Sequence, residues 1–461
     1  MKRLLSALVL LASVSSMIGS GRQTQAHASG SPRPNILFIL VDDQRIGTIS
    51  PQFTPNIWSM LVHKGVTYTH AYTPNPLCCP SRTSILTGLF SGKPGGGVWA
   101  NVPPYGGFTA FDPKKTVATD LHAAGYRTGL FGKYLNGYPQ GKAKNFRYVP
   151  PGWDAWFGVP TAAYQDFYAA VNGRRSRFYG PNPSDYATRI ITSRALAFMS
   201  RSEQLGHPWF AYVSYTAPHA PATAEIQDVG RFASVTLPNA GAPSLTENVS
   251  HDGKPQYVRD WTVPSTWPVF PEHQLEAMYG VDRSLGNLLT HVPANTLIVY
   301  FSDNGFMWLE HGLTGKDVPY EESINVPMIV RWDGHPGLVP PDTVNADPVL
   351  NVDFDPTWEN LAGVSNPRAD GVNFLTRLRA DRSFPITHYQ APGTRVPSYC
   401  GVRSPDYMFV QYNTGEQELY DMRTDPYQLT NLASSRPDLV GQLLARTKQL
   451  CSPTPPDWTQ W

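Results

Sequence analysis

NILFILVDDQ, residues 35–44, is the stretch of this sequence that decides the fold class. Its first seven residues form a run of mostly branched apolar side chains, which is typical of a strand buried on both faces of a parallel sheet. A second run of this kind, TLIVYF, occupies residues 296–301. Strand-like and helical segments alternate between these two runs, at 66–72, 128–131 and 209–215 for strands and at 54–64, 116–124, 191–199 and 272–289 for helices. This alternation predicts the α/β class, with a large, mostly parallel sheet flanked by helices.

The pattern changes after about residue 365, where short alternating runs replace the long apolar ones. Runs of this kind, at 407–412 and 418–422, are typical of antiparallel strands with one buried face. We therefore expect a main domain over residues 29–365 and a small antiparallel C-terminal subdomain over residues 366–461.

Overall composition excludes several classes of protein. Hydrophobic residues make up 41% of the 461 residues, so the chain can bury a large core, and disorder, collagen and coiled coils are excluded. There are 37 Lys and Arg residues against 36 Asp and Glu residues, and such a balance argues against a protein that neutralises many nucleic-acid phosphates. We expect no nucleic-acid partner.

The N-terminus has the layout of a secretory signal peptide. Lys2 and Arg3 precede an apolar run, residues 4–18, and Ala26-His27-Ala28 has the small-x-small form of a cleavage site. The apolar run is short for a membrane span, although an uncleaved anchor is the alternative. We therefore predict that residues 1–28 are removed, that the protein is secreted or extracytoplasmic, and that it has no stable membrane insertion.

The four cysteines fall into two groups. An exported protein can form disulfides, and a Cys400–Cys451 pair would tie the last residues to the C-terminal subdomain, but sequence alone leaves this pairing open. Cys78 and Cys79 are adjacent and are poor partners for each other, so they need another explanation.

Acidic residues follow both buried strands at the point where each one ends. Asp42 and Asp43 follow the first strand, and Asp303 and Asn304 follow the second. Ligands gather at the carboxyl ends of strands in an open parallel sheet, and hard oxygen ligands of this kind suit Ca²⁺ or Mg²⁺ better than zinc. Either pair alone could be a turn or a solvated strand end, but the two together predict a metal site.

The segment LCCPSRTSILTG, residues 77–88, predicts a helix that begins at Cys78, because Pro80 and Ser81 are favourable residues in a first turn. A helix N-terminus attracts anionic groups, and Arg82 adds a permanent positive charge one turn along. The residues alone indicate an anion site with an activated cysteine, or else a structural cysteine pair.

This segment resembles the signature of the type I, formylglycine-dependent sulfatases, Cys-x-Pro-Ser-Arg followed by x-x-x-Leu-Thr-Gly. The order and spacing of further motifs are also similar to that family, and the similarity covers nearly all of the chain after residue 28. Those motifs are PNILFILVDDQ at 34–44, GYRTGLFGKYL at 125–135, APHAP at 217–221, SDNGF at 302–306, Lys316 with Tyr320-Glu321, and LYDMRTDP at 419–426.

The resemblance implies an alkaline-phosphatase-like fold and an exported enzyme that hydrolyses sulfate monoesters of sugars or aryl alcohols. It implies that a separate formylglycine-generating enzyme oxidises Cys78 to formylglycine before export. It also implies that Arg82 and Lys133 hold the formylglycine, and that His219 and Lys316 bind the sulfate, one of them protonating the leaving alcohol. Ca²⁺, in preference to Mg²⁺, would be held by five residues, Asp42, Asp43, Cys78, Asp303 and Asn304.

One departure from the family pattern concerns the histidine that many members carry two residues after the equivalent of Lys133. Leu135 stands there, in a GKYLN form that resembles the glucosamine-6-sulfatase and extracellular heparan-sulfatase branch. His311 is a candidate replacement, whereas His70 and His122 are interpreted as structural. We expect the substrate's alcohol to be recognised by Pro- and Gly-rich loops, at 93–115, 137–160 and 238–270.

Two alternatives remain open from the sequence. The first is a phosphonate or phosphate monoester hydrolase of the same superfamily, because replacing sulfate by phosphate changes the charge but not the geometry. The second is a non-catalytic protein that binds sulfated glycans and in which Cys78 stays a thiol.

Overall fold

The computed structural model describes residues 33–138, 147–174, 176–245, 250–265, 267 and 270–461. The predicted signal peptide, residues 1–28, lies outside these described residues. Within them, every helix is too short or too polar to span a bilayer.

In the described part of the chain, ten strands form the central sheet, and eight more belong to three smaller sheets. In chain order the strands are β1 (Asn35–Val41), β2 (Val66–Tyr68), β3 (Ala71–Tyr72), β4 (Arg127–Lys133), β5 (Ala155–Val159), β6 (Phe167–Val171), β7 (Arg177–Tyr179), β8 (Trp209–Ser214), β9 (Thr296–Ser302), β10 (Met307–Trp308), β11 (Thr314–Gly315), β12 (Met328–Arg331), β13 (Thr343–Asn345), β14 (Val349–Leu350), β15 (Phe384–His388), β16 (Tyr399–Arg403), β17 (Tyr407–Tyr412) and β18 (Gln417–Asp421).

The strand order of the central sheet is β13-β2-β12-β9-β1-β8-β4-β5-β6-β7. The five strands from β9 to β5 are parallel to one another, and antiparallel pairs flank this group on both sides. Every residue of β1, β8 and β9 is buried, as the apolar runs in the sequence predict. The predicted fold class is confirmed.

Helices cover both faces of this sheet, and a separate apolar cluster fills each side. The helices are α1 (Pro55–Ile57), α2 (Cys78–Thr87), α3 (Gly107–Ala110), α4 (Val117–Ala123), α5 (Ala187–Gln204), α6 (Gln256–Arg259), α7 (Phe270–Leu289), α8 (Glu321–Ile324), α9 (Phe354–Ala362) and α10 (Pro437–Leu450). All ten residues of α2 are buried, so the helix that carries the cysteine signature lies inside the protein.

Three local expectations differ from the structure. The helix predicted over residues 54–64 is only α1 followed by a π-helical segment, Trp58–Val62. The strand predicted over residues 66–72 is interrupted, so that β2 joins the central sheet and β3 pairs with β14. The region 137–160, which we expected to be a loop, contains β5, because its apolar residues complete the parallel part of the sheet.

The C-terminal part contains the predicted antiparallel sheet, with strand order β15-β16-β17-β18. A disulfide joins Cys400, on β16, to Cys451 at the end of α10. This bond resolves the pairing that the sequence left open, and it ties the last helix to the sheet. Residues 33–461 form one compact unit, so the predicted boundary near residue 365 stays a prediction.

Candidate active site

Four neighbouring strands of the sheet, β9, β1, β8 and β4, end at the same edge and deliver six of the predicted site residues. This follows from their parallel pairing, since parallel strands present their carboxyl ends together. The residues are Asp303 and Asn304 after β9, Asp42 and Asp43 after β1, His219 in the segment after β8, and Lys133 at the end of β4.

Three carboxylates converge at this edge. One oxygen each of Asp42, Asp43 and Asp303 lies within 4.8 Å of the others, and all three side chains are buried. The amide of Asn304 donates to Asp43 Oδ1 at 2.7 Å, so its side chain lies in the same cluster. Buried carboxylates repel one another unless cations compensate them, and this set of hard oxygen donors fits a divalent cation such as Ca²⁺ or Mg²⁺.

Cys78 is the first residue of α2, as predicted, and it is fully buried beside the carboxylates. Its Sγ lies 2.8 Å from Lys316 Nζ and 3.6 Å from Asp42 Oδ1. Burial raises the pKa of the Cys78 thiol to about 12, although Lys133 and Lys316 act in the opposite direction. Burial therefore opposes ionisation of the unmodified Cys78 thiol, and the activated cysteine that the sequence indicates stays a prediction.

Cys79 has different surroundings although it is the next residue. Its backbone N–H donates to Asn101 Oδ1 at 2.8 Å, and its Sγ accepts from the Asn136 backbone N–H at 3.0 Å. Burial raises the pKa of this thiol to about 11. Cys79 thus anchors the first turn of α2 to two loops. It also lies outside both groups of potential metal ligands that the described residues form.

Arg82 connects α2 to the ends of three strands. Its Nε donates to Asp303 Oδ2 at 2.7 Å, and its Nη1 donates to Ser214 Oγ at 2.7 Å and to the Lys133 carbonyl at 3.0 Å. The guanidinium is completely buried, and Asp42 lies 3.7 Å away. Although burial opposes its charge, Asp303 and Asp42 raise the pKa of Arg82 above its usual value.

Lys133 and Lys316 approach the carboxylates from two directions. Lys133 Nζ contacts Asp42 Oδ2 at 2.5 Å and is completely buried. Lys316 Nζ donates to Asp43 Oδ1 and lies 3.5 Å from Asn304 Oδ1, but its side chain is 13% exposed. Burial opposes ionisation of Asp42, yet Lys133, His219 and Arg82 together lower its pKa to about 2.

Among the predicted site residues that form ion pairs, His219 has the most exposed side chain, with 20% of it accessible to solvent. Its Nε2 lies 3.9 Å from Asp43 Oδ2, and its Nδ1 lies 2.7 Å from the Ala220 carbonyl. The second contact favours the tautomer or charge state in which Nδ1 carries a hydrogen. The structure therefore brings together all of the predicted site residues.

The other histidines occupy different surroundings. The ring of His311 stacks on Tyr320, with centroids 4.2 Å apart, and within the described chain neither ring nitrogen has a hydrogen-bond partner. Burial and the charge of Lys254 hold its pKa well below the usual range. These contacts do not support His311 as the replacement base. His70 and His122 contact Ala346 O and Asp154 Oδ2, which agrees with structural roles.

Two polar residues that support this site were not predicted from the sequence. Ser214 accepts from Arg82 and is completely buried, and Gln274 on α7 contacts the backbone beside Asp43. The sequence does carry a signal for Ser214, because a polar residue at the last position of a buried apolar strand indicates a polar contact there. Gln274 is a single amide in a helical pattern and carries no such signal.

The chain matches the profiles of two known protein families. The profile described as "Sulfatase" matches residues 34–364, and the profile described as "N-sulphoglucosamine sulphohydrolase, C-terminal" matches residues 309–450. The first match covers most of the chain and includes every residue of the candidate site.

Individual relatives agree with these profiles. The Extracellular sulfatase SULF-1 homolog of Drosophila melanogaster is 33% identical over 368 residues, which are 75% of this chain and 31% of that protein. The N-acetylglucosamine-6-sulfatase of Capra hircus is 28% identical over 492 residues, covering 92% of this chain and 84% of that protein. This chain thus spans about a third of the length of the first relative and most of the length of the second.

A solved structure has the same fold. It is the structure of BT4656 in complex with its substrate D-glucosamine-2-N,6-O-disulfate, with a TM-score of 0.74 and 22% identity. The match covers 91% of this chain and 98% of the other chain. The resemblance that the sequence motifs indicated is confirmed by these three comparisons.

Proposed function

Because this chain belongs to the sulfatase family, we propose that it hydrolyses sulfate monoesters at the site formed by Cys78 and the neighbouring strand ends. One observation carries the proposal. Three buried carboxylates lie within 4.8 Å of one another beside Cys78, at the first position of a buried helix, and three permanent cations surround them. Such a site can neutralise the oxygens of an anionic ester and hold a nucleophile against its central atom.

The substrate class that we propose is a 6-O-sulfated glucosamine. Two relatives support it: one is named an N-acetylglucosamine-6-sulfatase, and the structural neighbour holds a glucosamine disulfate. The GKYLN form at 132–136 agrees, because it resembles the same branch of the family.

Two groups complete the proposed site. Asp42, Asp43, Asp303 and Asn304, with the modified side chain of Cys78, would hold a Ca²⁺, which when bound supplies positive charge against the sulfate oxygens. Oxidation of Cys78 to formylglycine, by a separate formylglycine-generating enzyme before export, would supply a hydrated aldehyde that can both attack sulfur and later release sulfate.

The positively charged side chains of the site fall into two groups that differ in their exposure to solvent. Arg82 and Lys133 are completely buried, so we assign them to position 78 and to the carboxylates beneath it. Lys316 and His219 are partly exposed on the same cluster, so we assign them to the sulfate group of the substrate. One of these two would protonate the leaving alcohol. Burial opposes the charge of Lys316, but Asp43 raises its pKa well above the usual value and keeps it protonated.

We also propose that the protein acts outside the cytoplasm. The N-terminal sequence pattern supports this location, and the Drosophila relative is named as an extracellular sulfatase. A disulfide between Cys400 and Cys451 agrees with an oxidising compartment.

The decisive experiment combines mass spectrometry with turnover. After co-expression with a formylglycine-generating enzyme, the peptide that contains Cys78 should be about 18 Da lighter than its thiol form. Cys78→Ala should abolish turnover, whereas Cys79→Ala should keep most of it, and EDTA should inactivate the enzyme. Equal losses from the two substitutions would contradict our choice of nucleophile.

A substrate panel tests the reaction itself. We expect turnover of 4-nitrophenyl sulfate and of glucosamine 6-sulfate, with slower turnover of the phosphate and phosphonate esters of 4-nitrophenol. Faster turnover of a phosphonate ester than of the sulfate esters would indicate that the protein is a phosphonate monoester hydrolase. Binding of sulfated sugars without turnover of any ester would show a non-catalytic protein.

A further inference from the structure

Gln274 lies on α7, away from all of the sequence motifs, and its side-chain amide joins two segments of the candidate site. Only 2% of the residue is exposed. Its Nε2 donates to the Asp43 carbonyl at 3.4 Å and to the Pro218 carbonyl at 3.2 Å. Pro218 directly precedes His219, so a single amide holds the backbone of the proposed metal ligand and the backbone of the proposed sulfate-binding residue.

These two carbonyls lie just beyond the last backbone contact between the segments. The pairing of β1 and β8 ends at Leu40 and Ser214, and beyond it the Asp42 N–H donates to the Ala217 carbonyl at 3.2 Å. Pro218 has no N–H to donate, and the Asp43 N–H donates to Asp303 Oδ1 instead. Asp43 is also in the left-handed region, with φ of 70°. A non-glycine residue in that region is strained and needs support from its surroundings.

Gln274 is itself held in place from the opposite side. Its Oε1 accepts from Trp308 Nε1 at 2.6 Å, and the Trp308 backbone N–H donates to Glu310 Oε2 at 2.5 Å. Arg45 closes the chain of contacts, because it bonds Glu310 at 2.7 Å and lies over the Trp308 ring. The orientation of the Gln274 amide is thus fixed, with its oxygen toward Trp308 and its nitrogen toward the two carbonyls.

We propose that Gln274 is a positioning residue for Asp43 and His219, and that it sets the distance between the metal site and the group that faces the leaving alcohol. The inference rests on the proposed function, since it assigns His219 to the sulfate and the leaving group. It concerns the 3.9 Å separation of His219 Nε2 and Asp43 Oδ2, which Gln274 controls through the Asp43 carbonyl and through the carbonyl of Pro218, the residue before His219.

Two substitutions separate this role from simple packing. Gln274→Glu keeps an oxygen for Trp308 but can donate at most one hydrogen, so it cannot serve both carbonyls. Gln274→Met keeps the size and removes every polar contact. Asp282→Asn is the control on the same helix, because Asp282 is equally buried but accepts from Asn56 and Ile57, at the start of α1.

The test measures turnover on two substrates and calcium affinity. For glucosamine 6-sulfate, a poor leaving group, we expect both Gln274 variants to lose at least tenfold in kcat/KM. The loss on 4-nitrophenyl sulfate should be several-fold smaller, because nitrophenolate leaves without a proton. Calorimetric titration of EDTA-treated protein with CaCl₂ should show affinity at least threefold weaker, and Asp282→Asn should change none of these quantities.

The outcomes can be told apart. Wild-type kcat/KM and wild-type calcium affinity in both Gln274 variants would overturn the proposal. Equal losses on the two esters, or losses that Asp282→Asn shares, would also overturn it, because they would reflect general loosening of α7. If the wild-type protein cleaves neither ester, the proposed function fails, and the calcium titration still decides whether Gln274 positions Asp43.

Discussion

Replacing Arg82 by lysine tests whether the geometry of the guanidinium, rather than its charge, holds the site together. The side chain is completely buried and makes three contacts shorter than 3.1 Å, to Asp303, to Ser214 and to the Lys133 carbonyl. These contacts leave from two different nitrogen atoms in a planar group. A lysine ammonium concentrates its charge on one nitrogen at the end of a flexible side chain. Arg82→Lys therefore keeps the charge but loses the planar arrangement of several N–H donors.

The size of the effect follows from the contacts that are lost. An ammonium placed to keep the ion pair with Asp303 cannot also reach the other two acceptors. Hydrogen bonds from a charged donor contribute about 1.5–3 kcal/mol each, so losing two of them should lower the free energy of unfolding by about 3 kcal/mol or more. Catalysis should suffer further, because Arg82 holds Asp303 and the Lys133 backbone in place, and misplacing site groups by about 1 Å can cost about 10²-fold in rate.

The assay is urea denaturation together with kcat on 4-nitrophenyl sulfate. Arg283→Lys is the control, because Arg283 makes a two-pronged ion pair with Asp228 but is 37% exposed. Asp228 is completely buried, but Arg283 itself is partly exposed and lies outside the candidate site, so this variant should keep full activity. An Arg82→Lys protein that loses less than about 1 kcal/mol and stays within twofold of wild-type kcat would refute the reasoning.

Two further predictions concern stability. Burial raises the pKa of Glu359 to about 9, and Asp355 one turn away adds to the effect, so the folded chain keeps a proton that the unfolded chain releases above a pH of about 4.5. The free energy of unfolding of the wild type should therefore fall between about pH 5 and pH 9. In urea titrations, Glu359→Gln should be more stable than wild type at pH 9 but not at about pH 4. A stability difference between the two proteins that is independent of pH would contradict this reasoning. Joint replacement of Cys400 and Cys451 by serine opens a loop of 51 residues. The free energy of unfolding in the same assay should fall by up to about 4 kcal/mol, and kcat of the folded protein should stay unchanged. A large loss of kcat would show that the C-terminal sheet shapes the site.

The parts of the fold that the sequence predicts are those with strong local patterns. The buried strands β1 and β9 are continuous apolar runs, and such runs have few alternatives in a chain of this size. The cysteine helix was predictable because its first-turn residues leave little choice of starting point. The carboxylate cluster followed from these two features, because parallel strands end at one edge and carry their acids with them.

Other parts depend on tertiary contacts and left no local signal. Lys133, His219 and Lys316 are single residues in ordinary surroundings, and only the resemblance to a family identified them. The break between β2 and β3 arises because the two pieces pair with different partners, β12 and β14, which no window of the sequence can show. Gln274 is fixed by an indole from a strand more than thirty residues away.

The order of the strands explains why acids and cations meet in this site. Along the sheet edge, β9 and β1 bring carboxylates, and the next two strands, β8 and β4, bring His219 and Lys133. The side chains of these strands interleave, because Lys133 Nζ contacts Asp42 Oδ2 at 2.5 Å and His219 Nε2 lies 3.9 Å from Asp43 Oδ2. One atom each of Asp42, Cys78 and His219 also lies within 4.8 Å of the others. On the proposed function, the nucleophile and the group that faces the leaving alcohol therefore reach the same bound ester.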